Sequence, residues 1–273
     1  MHTEPETLAR IEAGLRTTAA FGREVTSVPG FTVAIAPGGA AGLAVAVPAP
    51  DLAEVDLEGA LAQVERVFGR SGADPSIEYV EELHPMLASH AHVRGWRSTM
   101  RAPLMLLDRL PAEPTSSDPS VRFPTAAEGA ELEAFLRAQG RAYGGGGGDD
   151  ALAWLPILRA GLLEGRIVVA ALAVDGVLVA GASVQLGAAV GELAGVWTLP
   201  EARRRGYALK VCRAVVGRVL TAELAFCWLS AAPDATALYE RIGFRHVGTQ
   251  RNLAGPVRDA PPAGSRGLDT ALS

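Results

Sequence analysis

One stretch of sequence decides the fold, Val196-Trp-Thr-Leu-Pro-Glu-Ala-Arg-Arg-Arg-Gly-Tyr-Ala208. Its apolar start predicts a strand, Pro200 predicts a turn, and the residues from Tyr207 onward predict a helix. The first turn of a helix presents unpaired N–H groups and the positive end of the helix dipole. Gly206 and Ala208 have small side chains, which leaves room for a pyrophosphate at the backbone. The alternative is an ordinary helix start with solvated arginines.

A second motif follows on the next predicted helix, Asp234-Ala-Thr-Ala-Leu-Tyr-Glu-Arg-Ile-Gly-Phe244. With Arg203-x-x-Gly206-x-Ala208, it resembles motif A and the A-x-x-L-Y-E-K-L-G-F signature of the GCN5-related N-acetyltransferases, the GNAT superfamily. The resemblance covers roughly Val121 to Leu253. It implies an acyltransferase that uses acetyl-CoA as cosubstrate and moves the acetyl group to a primary amine, by direct attack in a ternary complex.

The same resemblance implies roles for individual residues. Tyr239 matches a tyrosine that protonates the departing CoA thiolate, and Glu192 lies where several members have a general-base glutamate. The structural alternatives are a half-buried helix aromatic for Tyr239 and a solvent-facing strand residue for Glu192. Ala232 departs from the family, in which an asparagine often contacts the cofactor. The strand backbone would bind the pantetheine arm and the turn amides the pyrophosphate, which gives these cofactor-binding residues: Val196, Trp197, Thr198, Arg203, Arg204, Arg205, Gly206, Tyr207 and Ala208.

Two halves of similar order are predicted on either side of a proline-rich linker. In each half, antiparallel strands precede alternating helices and strands, which indicates a mixed sheet with helices on both faces. Arg94-Gly-Trp-Arg97 and Ile242-Gly-Phe-Arg245 form a faint repeat before the last strand of each half. We therefore expect an α/β protein of two tandem GNAT-like domains, each a twisted, mostly antiparallel mixed sheet. The boundaries are 1–110 for the first domain, 111–119 for the linker, 120–255 for the catalytic domain and 256–273 for a flexible tail.

The first half lacks the Arg-x-x-Gly-x-Gly/Ala motif. Its equivalent turn, Pro48 to Asp56, is acidic where a phosphate would need cations. We therefore expect a degenerate domain that closes one side of the acceptor cleft. Two alternatives to an N-acetyltransferase remain open: a non-catalytic acyl-CoA-binding or regulatory module, and an acyltransferase with another acyl group or with a thiol or aminoacyl acceptor.

Composition narrows the class further. The 273 residues are 49% hydrophobic and 20% charged, which excludes disorder as the dominant state. A net charge of -5 argues against nucleic-acid binding. Lys210 is the one lysine, and the other basic residues are arginine. Cys212 and Cys227 form no metal or disulfide pattern. We expect a cytoplasmic protein with no signal peptide, membrane span or metal, acting on a small-molecule or peptide amine.

Overall fold

The computed structural model describes residues 4–36, 44–110, 119–145, 147–220 and 224–256. Most of the predicted linker and the tail beyond Pro256 lie outside these ranges, as does the Gly38-Gly39 pair. In the described part of the chain, no helix has the length and apolar character needed to cross a membrane.

The first half begins with a long helix, followed by a strand hairpin and then by alternating strands and helices. Its elements are α1 (Glu4–Ala20), β1 (Glu24–Val28), β2 (Phe31–Ile35), β3 (Ala44–Pro48), α2 (Leu57–Ser71), β4 (Ser76–Val80), α3 (Leu87–Val93) and β5 (Arg97–Leu107). Strand β1 was not predicted because its Glu-Val-Thr-Ser-Val sequence is mostly exposed and lacks a buried apolar face.

The second half repeats this order, with a second helix before its hairpin. Its elements are β6 (Val121–Arg122), α4 (Gly129–Ala142), α5 (Leu155–Leu163), β7 (Ile167–Val174), β8 (Val177–Gly187), β9 (Val190–Thr198), α6 (Tyr207–Val219), β10 (Cys227–Ser230), α7 (Thr236–Glu240) and β11 (Arg245–Ala254). A tight turn at Asp175-Gly176 joins β7 to β8, and both of its residues have positive φ.

All eleven strands form one mixed sheet in the order β1-β2-β3-β4-β11-β5-β10-β9-β8-β7-β6. The last strand of each half has crossed into the other half. Strand β11 lies between β4 and β5, and β5 lies between β11 and β10, with antiparallel pairing throughout. The mixed α/β architecture predicted from the sequence is confirmed, but the exchange of the last strands was not foreseen.

Helix α1 packs against both halves. Leu8, Ile11 and Leu15 share one buried cluster with Val80 of β4 and Trp228 of β10. Two further clusters lie elsewhere: one beneath α2 and α3 in the first half, and one around α4, α6 and α7 in the second. The exchanged strands and the shared helix therefore join the halves through backbone hydrogen bonds and through a common core.

We expect the two halves to unfold together. Leu104 of β5 is 1% exposed and pairs with Ser230 of β10 and Gly248 of β11. Leu104→Ala should cost about 2–5 kcal/mol and lower the urea midpoint equally at Trp96 in the first half and Trp197 in the second. Fluorescence of variants that retain one tryptophan measures both midpoints. Separate midpoints for the two reporters would contradict a shared folding unit.

Candidate active site

The turn before α6 has the backbone geometry of an anion site. Gly206 is the N-cap of α6 with φ +79°, and a Cβ added there would meet open space. Arg204 also has a positive φ, of 65°, which is strained for a residue with a side chain. The first-turn amides of α6 have no partner within the helix. The exposed turn therefore presents N–H groups beside several guanidinium groups.

The three arginines of the turn are not equivalent. Arg203 Nη2 donates to the Ala142 carbonyl at the end of α4, at 3.0 Å, and its Nε lies 3.4 Å from the Thr198 carbonyl. This side chain ties the turn to α4 and β9. Arg204 and Arg205 are exposed beside Gly206, so they are better placed than Arg203 to attract an anion.

The equivalent turn of the first half carries its own anion. Asp56 is the N-cap of α2, and its carboxylate accepts from Glu58 N and Gly59 N at 3.3 and 3.0 Å. A capping carboxylate satisfies the same amides that a phosphate would use. The N-terminus of α2 is therefore closed, unlike that of α6.

In the second half, strand β9, which leads into the turn before α6, separates from β10 before it ends. They pair in parallel only at Gly191↔Cys227 and Glu192↔Trp228. Beyond Glu192, β9 continues to Thr198 on β8 alone, so its other edge faces the gap between the strands. The Thr198 hydroxyl is buried and has no hydrogen-bond partner within the described chain. An extended ligand with amide groups suits such an edge.

A bulge in β9 is held from α4 and β8. Gly195 has φ +60°, and the register with β8 shifts at this point. The carbonyls of residues 194, 195 and 196 accept from Ser183 Oγ, Gln139 Nε2 and the Tyr143 hydroxyl, each at 3.1 Å. Sequence analysis missed Gln139 and Tyr143. Their spacing of four residues at the C-terminal end of α4 indicates only that they lie on one side, and not that this side meets a strand backbone.

Glu192 lies at the point where the strands separate. Its Oε2 is 3.0 Å from the Thr18 hydroxyl of α1. Loss of water around the carboxyl, followed by the negative charge of Glu78, raises the pKa of Glu192 to about 7, against the opposing effects of Thr18 and Arg23. A carboxyl that titrates near neutral pH is suited to proton transfer.

Tyr239 lies in α7 and is 7% exposed. Its ring packs edge-to-face on Phe244, with the ring centroids 6.1 Å apart. Burial raises its pKa, and Cys212 and Tyr143 raise it further. The phenol therefore keeps its proton at neutral pH. The electrostatic neighbours of Tyr239 differ from those of Glu192, which faces α1.

No three His, Cys, Asp or Glu side chains among the described residues are grouped as metal ligands. A cavity of about 520 Å³ opens at the junction of the halves, and none of the predicted site residues lines it. It is lined by Arg16, Thr17, Ala20, Phe21, Gly22, Thr32, Glu164 and Arg166.

Comparison with known proteins agrees with this geometry. Residues 174–253 match the family model described as "FR47-like protein", a segment that contains Glu192, Gly206 and Tyr239. A search of curated proteins gives no match.

Solved structures match over both halves. A "GCN5-related N-acetyltransferase from Kribbella flavida" is 24% identical with a TM-score of 0.71, covering 92% of this chain and 96% of its own. A putative GNAT-family acetyltransferase from Novosphingobium aromaticivorans is 20% identical with a TM-score of 0.57 and the same coverage. A "tandem GNAT protein from the clavulanic acid biosynthesis pathway" is 14% identical with a TM-score of 0.56, covering 83% and 79%.

The chain therefore has the fold of the GNAT structures that it matches, in tandem arrangement, and residues 174–253 of its second half match the FR47-like family model. This confirms the recognition made from Arg203-x-x-Gly206-x-Ala208 and the Asp234–Phe244 motif.

We expect Gly206→Glu to abolish acetyl-CoA binding, measured by isothermal titration, because the new carboxylate would occupy and repel the pyrophosphate position. Gly72 provides a matched control. Its φ and ψ are 73° and 6°, those of Gly206 are 79° and 6°, and both positions have open space for a Cβ. Gly72→Glu should carry the same backbone strain and leave binding intact. Equal binding in the two variants would remove Gly206 from the site.

Proposed function

We propose that the protein is an acetyl-CoA-dependent N-acetyltransferase whose chemistry lies in the second half, with a primary amine of a small molecule or peptide as acceptor. The observation that carries the proposal is the left-handed turn at Gly206, which opens α6 beside the gap between β9 and β10. Acetyl-CoA supplies the activated acetyl group. Amides of residues 204–208 would hold its pyrophosphate, and the β9 backbone of residues 196–198 its pantetheine arm.

Glu192 is the base in this proposal. It takes a proton from the acceptor ammonium, directly or through a water molecule, and the free amine then attacks the thioester carbonyl carbon. Glu192 is the last residue of β9 that pairs with β10, so it lies where the gap between the two strands begins.

Tyr239 is the acid. The departing thiolate needs a proton, and a phenol that stays protonated at neutral pH can donate it. The two residues have different surroundings: Glu192 faces α1, whereas Tyr239 packs in the cluster that contains α6.

The bulge of β9 supplies electrostatic stabilisation. Because Ser183, Gln139 and Tyr143 occupy its carbonyls, the adjoining peptide groups have fixed directions. An amide between residues 196 and 198 would polarise the thioester carbonyl, and a donor held in place beforehand needs no reorganisation during the reaction.

The direct test is thiol release from acetyl-CoA in the presence of a panel of primary amines: a polyamine, an amino-acid amide, an aminoglycoside and an arylalkylamine. Turnover with at least one amine, with the acetylated amine found by mass spectrometry, supports the transferase. Tight acetyl-CoA binding with no turnover, either on this panel or on larger acceptors, would instead favour an acyl-CoA-binding module.

We expect Tyr239→Phe to lower kcat by about 10²-fold or more, with little change in acetyl-CoA affinity, since only the proton donor is lost. Tyr79→Phe is the control, because it removes a buried hydroxyl from the core of the first half. Loss of turnover in Tyr143→Phe, with normal turnover in Tyr239→Phe, would transfer the role of acid to Tyr143.

The rate should rise with pH through about 7, where Glu192 ionises, because only the carboxylate accepts a proton. The measurement is kcat/KM for thiol release between about pH 5 and about pH 9. Glu192→Gln should remove this limb and most of the turnover. A limb that persists unchanged in Glu192→Gln would show that another group is the base.

A further inference from the structure

The sheet divides at two places, and a glutamate lies at each. In the second half, Glu192 is in the last pair of β9 with β10. In the first half, β3 and β4 pair in parallel only at Ala46↔Ile77, and Glu78 is the next residue of β4. The Glu78 carboxylate accepts from Asn252 Nδ2 at 3.0 Å. Both carboxyl groups are only partly exposed, and the C-terminal end of α1 packs against β9 near them.

Thr18, near the end of α1, faces two acceptors with a single hydrogen. Its Oγ1 lies 3.2 Å from the Leu15 carbonyl and 3.0 Å from Glu192 Oε2. When Glu192 is ionised, the hydroxyl can donate to it. When Glu192 is protonated, the carboxyl can donate to Thr18 Oγ1, and the hydroxyl then donates to Leu15. Thr18 therefore satisfies both protonation states of Glu192, which an aliphatic side chain cannot do.

The charges around Glu192 also come from the first half. When ionised, Glu78 on β4 opposes the ionisation of Glu192, although burial raises the pKa of Glu78 as well. Arg23, just after α1, favours the ionised form of both carboxyl groups. Arg23 is held in place, since its Nη1 donates to the Ala19 carbonyl and its guanidinium lies 5.1 Å from the centroid of the Trp154 ring. The partners of Glu192 on the neighbouring strands, Gln185 and Trp228, are neutral.

We propose that Thr18 of the first half is a positioning residue that controls the proton of Glu192 in the second half. This inference rests on the proposed function for its catalytic meaning. It assigns the first half a part in the reaction, beyond closing one side of the cleft. The Thr18 hydroxyl stabilises the carboxylate by a hydrogen bond, whereas an ionised Glu78 would act in the opposite direction.

The test is a pH titration of the full-length protein carrying ¹³C-labelled glutamate, followed by NMR at the Glu192 carboxyl. Loss of the resonance in Glu192→Gln assigns it. Thr18→Val should move the midpoint up by about one pH unit, and Thr18→Ser should restore it.

Thr17→Val is the matched control, because Thr17 is the neighbouring threonine of α1 and its hydroxyl donates to the Ala13 carbonyl at 2.9 Å. It should leave the Glu192 midpoint unchanged. An unchanged midpoint in Thr18→Val would overturn the proposal, as would equal shifts in Thr17→Val and Thr18→Val. Full restoration by Thr18→Ser excludes a general loss of structure.

Activity measurements distinguish failure of the proposed proton control at Glu192 from failure of the proposed function. If the midpoints shift as expected, the acid limb of thiol release with the best amine of the panel should shift in the same directions. Shifted midpoints together with normal turnover in Glu192→Gln would remove Glu192 as the base. In that case the proposed function fails at this residue, while the control of its proton by the first half stands.

Discussion

The structure depends on hydrogen bonding at the centre of its sheet, where the last strand of each half completes the other. Strand β10 has four residues, and all four pair with β5, whereas only two pair with β9. Strand β4 likewise pairs along its whole length with β11 and at one residue with β3. Unpaired backbone groups in a sheet interior are costly. The exchanged strands therefore hold β4 and β10 in place while their other edges separate from β3 and β9.

This arrangement leaves two gaps between neighbouring strands of one sheet, and the sequence beside one gap differs sharply from that beside the other. The edge of β9 is followed by Arg203–Arg205 and by the left-handed Gly206, which keep the first turn of α6 open and positively charged. The corresponding turn of the first half has Asp56, whose carboxylate already caps α2. Similar topology thus provides one helix N-terminus available for an anion and one that is closed.

The strand–turn–helix at Gly206 and the element order of both halves were predictable, because hydrophobic period, turn residues and small side chains are local properties. The strand exchange was not, since the side-chain patterns of β5 and β11 do not identify which strands lie beside them. The Thr18–Glu192 contact joins residues 174 positions apart, and one sequence has no signal for such a pair. Gln139 and Tyr143 were missed for a related reason. Their side chains donate to backbone carbonyls of a bulge, and the side-chain pattern of a sequence does not reveal such contacts.

The first half has no open phosphate turn at α2, and the environment of Glu192 gives a physical reason why the protein nevertheless keeps this half. A carboxyl titrates near neutral pH only if water is largely removed from around it and the nearby charges are fixed. Helix α1 covers Glu192, Thr18 compensates either protonation state, and the charges of Glu78 and Arg23 come from the same half. A second half standing alone would lose β5 and this covering helix. Its glutamate would then lie in water, with an acidity close to that of an ordinary glutamic acid.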